Sequence, residues 1–158
     1  MSIHPQAAKR IGLAALAAAC LLTLAPACAK VGLGGGAPKV TVTAASDLNS
    51  CGSSTGYPLT FRVLQVSDAG AITGMTLSQL WDKEQQLLGP ALLDRREAFV
   101  DPGRTVTLAL EKKPGVTAVI VVGNFCQSRD QCWYYAHPLS EGSGIKLTAG
   151  ADCLSAAK

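Results

Sequence analysis

Polar and apolar residues alternate with period two in Lys39-Val40-Thr41-Val42-Thr43-Ala44, and again through Pro58-Leu59-Thr60-Phe61-Arg62-Val63-Leu64-Gln65-Val66. Such alternation gives a pleated strand one apolar and one polar face, so both segments are predicted as half-buried strands. Leu59, Phe61 and Val63 then share one face, with Thr60 and Arg62 on the other. Residues 47–56 lie between them and concentrate Asp, Asn, Ser, Gly and Thr, which predicts a long loop. The period then changes. Leu77, Leu80, Trp81, Leu87 and Leu88 recur at helical spacing, Thr76 and Gln79 can form a capping box, and Gly89-Pro90 stops the run. The apolar stripe of this helix is expected to pack on a sheet.

Strand patterns return over 92–100, break at Asp101-Pro102-Gly103, and resume over 104–110, where Val106, Leu108 and Leu110 share a face. Residues 116–122 are almost wholly apolar, as in a central strand buried on both sides. Segments 132–136 and 145–147 complete the set. About seven short strands separated by turn residues, with one inserted helix, predict an all-β antiparallel β-sandwich.

The N-terminal pattern is different. Lys9 and Arg10 precede an uninterrupted apolar run, 11–24, that leads into Ala25-Pro26-Ala27-Cys28. That run fits the roughly 7–15-residue core of a secretory signal and falls short of the ~18–20 residues a bilayer crossing needs. Residues 1–27 are therefore read as an export signal, leaving one domain's worth of chain. Small residues before a cysteine resemble a bacterial lipobox. Cutting at Cys20 would leave Leu21-Leu22-Thr23-Leu24 as an apolar tail, whereas Cys28 is followed by Ala29-Lys30 and a glycine-rich stretch. Cys28 is thus the expected lipidation site, 28–38 a flexible tether and 39–158 the folded domain. An ordinary cut after Ala27 or Ala29, giving a product without lipid, is the alternative.

With Lys9 and Arg10 in the signal, the chain's 14 basic and 11 acidic side chains come close to balance, and no basic cluster remains to neutralise a run of phosphates. Nucleic acid is not an expected partner. Of six cysteines, Cys51, Cys126, Cys132 and Cys153 remain, an even number that in an oxidising compartment predicts two disulfides. Three connectivities are open. The polar insert Gln127-Ser128-Arg129-Asp130 favours a loop joining Cys126 to Cys132, with Cys51 then pairing Cys153. A metal site of Cys126, Cys132 and His137 lacks a fourth ligand and any Cys-x-x-Cys spacing, so no metal is expected.

Candidate chemistry is sparse. Gly52-Ser53-Ser54-Thr55-Gly56 matches the Gly-x-Ser-x-Gly pattern of a hydrolase, but it sits between two strands rather than between a strand and a helix. His137 is the single histidine after the signal, and the carboxylates show no paired spacing. No catalytic residue and no cofactor are expected, which favours a binding or structural role. One such role is capture of a small ligand or polysaccharide through Trp133, Tyr134 and Tyr135.

Several segments in order resemble the type VI secretion outer-membrane lipoprotein (TssJ) family. The lipobox, residues 40–44 followed by Asp47-Leu48-Asn49, and residues 58–66 are similar to its opening. Leu77-Ser78-Gln79-Leu80-Trp81 resembles its inserted helix, Leu88-Gly89-Pro90-Ala91-Leu92-Leu93 its Leu-Gly-x-x-Leu-Leu run, and Ala98-Phe99-Val100-Asp101-Pro102-Gly103 its Pro-Gly corner. Residues 119–125 and Trp133 are similar to its late strands, although Cys126 and Tyr134 stand where that family commonly has arginine. The resemblance implies a transthyretin-like sandwich anchored by lipid at the outer membrane and facing the periplasm. It also implies a grip on the periplasmic C-terminal domain of TssM, with TssL in the same membrane complex. The family's contact loop maps onto Ser46, Asp47, Leu48, Asn49, Ser50, Gly52, Ser53, Ser54, Thr55, Gly56 and Tyr57, with Cys51 among them.

Overall fold

The computed structural model describes residues 36–157; the segment 1–27, Cys28 and the tether as far as residue 35 lie outside the described residues. Among the described residues, eight strands form two four-stranded sheets. The strands are β1 (Lys39–Ala44), β2 (Leu59–Val66), β3 (Leu92–Val100), β4 (Thr105–Ala109), β5 (Ala118–Gly123), β6 (Tyr134–Pro138), β7 (Gly144–Ala149) and β8 (Leu154–Ala156). One sheet has the order β4-β1-β7-β8 and the other β3-β2-β5-β6. The helix α1 (Leu77–Leu88) and two short 3-10 turns, Ala69–Ile72 and Gly89–Ala91, fill the connection from β2 to β3.

The inner faces make the core. Val40, Val42 and Ala44 of β1 and Ile145, Leu147 and Ala149 of β7 meet Leu59, Phe61 and Val63 of β2, all of them buried. The predicted alternation of β1 and β2 is therefore present. Every residue of β5 is buried, as the apolar run required. The sandwich is antiparallel with one exception: β1 and β7 pair in parallel, Val40 opposite Ile145 and Val42 opposite Leu147. Period-two patterning fixes faces but not direction, so this pair had no sequence signal. Strand β8 is three residues long, too short to show a period.

Helix α1 begins as expected: Gln79 N–H donates to Thr76 Oγ1 (3.3 Å) and Thr76 N–H donates to Gln79 Oε1 (3.0 Å). Its buried residues are Leu80, Glu84 and Leu88, whereas Leu87 is 42% exposed. The buried residues keep the i, i+4 spacing of one face across Lys83, where the backbone leaves helical values (φ −132°, ψ 25°), and Leu87 falls at the edge of that face.

The buried Glu84 fastens the helix to the outer face of β2 and β3. Its carboxylate accepts from Arg62 (3.2 Å) and Arg95 (2.5 Å). Arg62 also donates to Glu97 (2.8 Å) and to the Trp81 carbonyl (2.6 Å), and its guanidinium lies 3.9 Å from the centre of the Trp81 ring. The hydrogen bond and charge of Glu84 raise the pKa of Arg95 above its ordinary value. A carboxylate withdrawn from water in this way is tolerated because two guanidinium groups meet it.

Removing a partner from such a cluster leaves buried charge behind. Glu84→Ala is expected to lower stability by about 2–3 kcal/mol, somewhat under the range for fully buried pairs because Arg95 can rehydrate. Leu87→Ala is expected to change it by less than about 0.5 kcal/mol. Urea unfolding of both variants checks this, and a larger effect from Leu87→Ala would overturn the assignment of the buried face.

Candidate functional site

Strand direction divides the connections between two ends. Residues 45–58, 101–104, 124–133 and 150–153 join strands at one end of the sandwich, beyond Ala44 and Val100. The chain enters the domain at the other end, where Leu110 N–H donates to the Pro38 carbonyl and Lys39 N–H to the Ser143 carbonyl, both at 2.8 Å. The expected partner loop and the tether thus leave β1 from opposite ends.

Asn49 organises the loop end. Its backbone N–H donates to Gly150 (3.1 Å), its side-chain amide donates to the Pro58 carbonyl (3.2 Å), and its side-chain oxygen accepts from Cys126 N–H (2.9 Å). One residue therefore ties the loop to the start of β2 and to the connections after β5 and β7. It does so at φ 49°, a left-handed conformation that Asn adopts more readily than most residues. Leu48 beside it is fully buried, and its backbone bonds to Ala45 and Tyr57. Gly56 passes so close to the start of the loop that a Cβ would lie 2.5 Å from the Ser46 carbonyl oxygen. Ser50 is also buried, and its carbonyl accepts from the Ser53 hydroxyl (2.7 Å), which in turn accepts from Thr55 N–H (3.1 Å).

The loop is thus half frame and half surface. Leu48, Asn49 and Ser50 turn inward. Ser46, Asp47, Cys51, Gly52, Ser53, Ser54, Thr55 and Tyr57 are exposed. Period and turn propensity cannot separate the two sets, because the inward residues are held by bonds to segments far away in sequence.

All four cysteines are paired, with a different connectivity from the expected one. Cys51 joins Cys126 and Cys132 joins Cys153, with Cα–Cα distances of 5.6 and 5.0 Å; Cys126 does not join Cys132, nor Cys51 Cys153. Asn49 holds the backbone of Cys126 against the 46–57 loop, which places it beside Cys51. Leu154 N–H donates to the Cys132 carbonyl (2.8 Å), which places Cys153 beside Cys132. Arg129 and Asp152 bridge the same two connections at 2.5 Å, a contact that raises the pKa of Arg129. With sequence separations of 75 and 21, chain-entropy reasoning gives about 4 and about 3 kcal/mol for the two links.

The rival sites do not assemble. Cys126 and Cys132 are held as disulfides, and His137 bonds Gly142 (3.0 Å) towards the other end of the sandwich, so the three do not form a metal site. Among the described residues no group of three metal-ligating side chains converges. Ser54 is exposed in the connection at the loop end, whereas His137 stands opposite Val119, towards the far end of β6. Trp133 is buried and packs on Tyr134, with ring centres 4.7 Å apart. Tyr134 and Tyr135 stand opposite Val122 and Val121, so successive rings point to opposite sides of the sheet and share no ligand-binding platform.

A sequence search of curated proteins finds no match. Solved structures share the fold. Lip of Serratia marcescens, described as a membrane-bound component of the type VI secretion system, superposes with a TM-score of 0.66 at 17% identity, covering 77% of this chain and 95% of that one. The lipoprotein TssJ1 from Pseudomonas aeruginosa gives 0.64 at 20% identity, covering 77% and 96%. A chain in the structure described as "T6SS protein TssM C-terminal domain (869-1107) from EAEC" gives 0.65 at 12%, covering 77% and 97%. By those coverages that chain is about half as long as the range 869–1107. The family model for type VI secretion lipoproteins (VasD, EvfM, TssJ, VC_A0113) matches residues 37–152, and the chain belongs to that family.

Proposed function

We propose that the protein is the outer-membrane lipoprotein of a type VI secretion system, acylated on Cys28, and that it holds the periplasmic domain of TssM with its loop end. TssL would belong to the same membrane complex. On this reading 1–27 is the lipoprotein signal, 28–38 the tether and 39–158 the periplasmic body. The observation that carries the reading is the placement of Pro38 and of the 46–57 loop at opposite ends of β1. A lipid at Cys28 would hold one end near the bilayer while the other points away from it.

The lengths fit. The six residues of β1 separate the loop end from the end at which the chain enters the sandwich by about 20 Å, so the loop stays clear of whatever holds the entry end. Its stiffness fits as well. Asn49 and the Cys51–Cys126 link hold the loop before any partner arrives, which lowers the ordering cost of association. A chain of this fold in a structure described by the TssM C-terminal domain gives the partner its name.

Two measurements test this. Substituting the exposed tip, Ser54→Arg with Tyr57→Ala, is expected to weaken binding of the purified TssM periplasmic domain at least tenfold, about 1.4 kcal/mol, with unchanged thermal unfolding. Unaltered affinity would remove the loop from the interface. In cells, the mature chain is expected to begin at an acylated Cys28, and mass spectrometry of its N-terminus checks this. An unmodified N-terminus, or one that begins at another residue, would refute the anchor.

A further inference from the structure

The two sheets have unlike outer faces. On the sheet β3-β2-β5-β6, helix α1 is fastened to β2 and β3 through Glu84 and the turn Ala69–Ile72 packs on β5 and β6, whereas the outer face of β4-β1-β7-β8 carries no further layer among the described residues. Strand register aligns that open face into rows. Ser155, Thr148, Thr43 and Thr105 stand side by side across all four strands. The next row is Lys146, Thr41 and Thr107, with Lys39 beyond it on β1. Hydroxyls pair within rows, Thr41 with Thr107 at 3.1 Å and Thr105 with Thr43 at 3.2 Å, and each oxygen keeps bonding capacity for an outside group. Neighbours are about 4.8 Å apart across strands and roughly 6.6 Å apart along them. The four strands contain no Asp or Glu.

From this lattice we infer that the open face binds a peptidoglycan-type polymer, a hydroxyl-rich glycan whose peptide stems carry carboxylates, with the hydroxyl rows meeting sugar hydroxyls directly or through water and Lys39 and Lys146 meeting the stem carboxylates. Other occupants fit less well. A bilayer surface is held by inserted aromatic or aliphatic side chains as well as by charge, and this face offers only Ala109 and lysines. A second copy would bring lysines against lysines and bury almost no apolar area, where stable homodimers bury a largely apolar one. A hydrated anionic polymer needs hydroxyl donors and acceptors, positive charge and no competing carboxylate. The proposal depends on the exported location but not on the TssM contact, so loss of TssM capture leaves it standing.

Co-sedimentation of the full-length protein in detergent with purified peptidoglycan sacculi tests it, with chitin as the neutral glycan. The protein is expected to sediment with sacculi and to stay in solution with chitin. Lys39→Glu with Lys146→Glu should raise the half-saturating amount of sacculi at least tenfold. Thr43→Val with Thr148→Val, which keeps the β-branched shape, should raise it at least threefold. Absence of sedimentation, equal capture by chitin, or wild-type binding by either variant would overturn the inference. So would finding that the charge reversal abolishes binding to phosphatidylglycerol vesicles, or self-association, while leaving capture by sacculi intact.

Discussion

Asn49 and the adjacent Cys51–Cys126 link join the first long loop to the connections that follow β5 and β7, and the form of the loop end depends on them. A turn-rich segment with this many Ser and Gly residues would otherwise sample many conformations, each lost at a cost on binding. Here the backbone of Cys126 is held by a side-chain amide while its sulfur is held covalently. The two bonds lie next to each other and act on the same pair of segments. Leu48 adds an apolar anchor to the same frame, and Gly56 lets the chain double back past Ser46.

The sandwich turns that local frame into a directional object. Because β1 runs from the tether end to the loop end, whatever holds the N-terminus is separated from whatever meets the loop by the length of the strand. The body between must resist bending. Its sheets contribute a continuous core, and β5, buried on both sides, is clasped between the opposite sheet and the turn Ala69–Ile72. On the proposed reading this is what a tether requires: a lipid at one end, a preformed grip at the other and a stiff element between. The lateral face of hydroxyls and lysines lies along that element, where a polymer of the envelope could meet it without touching either end.

The strand and helix pattern was legible because it depends on periodicity alone. Val40, Val42 and Ala44 alternate, Thr76 and Gln79 cap, and the apolar run of β5 reads as doubly buried. What was not legible depends on residues distant in sequence. The parallel pairing of β1 with β7 leaves no mark on either strand. The inward turn of Asn49 is decided by Cys126, 77 residues away. The short polar insert suggests closure of Cys126 onto Cys132, whereas residues 127–131 are exposed and Arg129 bridges to Asp152 instead. Leu87 matches the helical period yet lies at the edge of the face that Leu80, Glu84 and Leu88 define, and Glu84 carries no apolar signal because its guanidinium partners lie on other elements.

Peptide mapping of the exported protein under non-reducing conditions tests the frame most directly. The account predicts one linked peptide containing Cys51 with Cys126 and a second containing Cys132 with Cys153. A peptide linking Cys126 to Cys132, or free thiols at Cys51 and Cys126 in the mature protein, would contradict it.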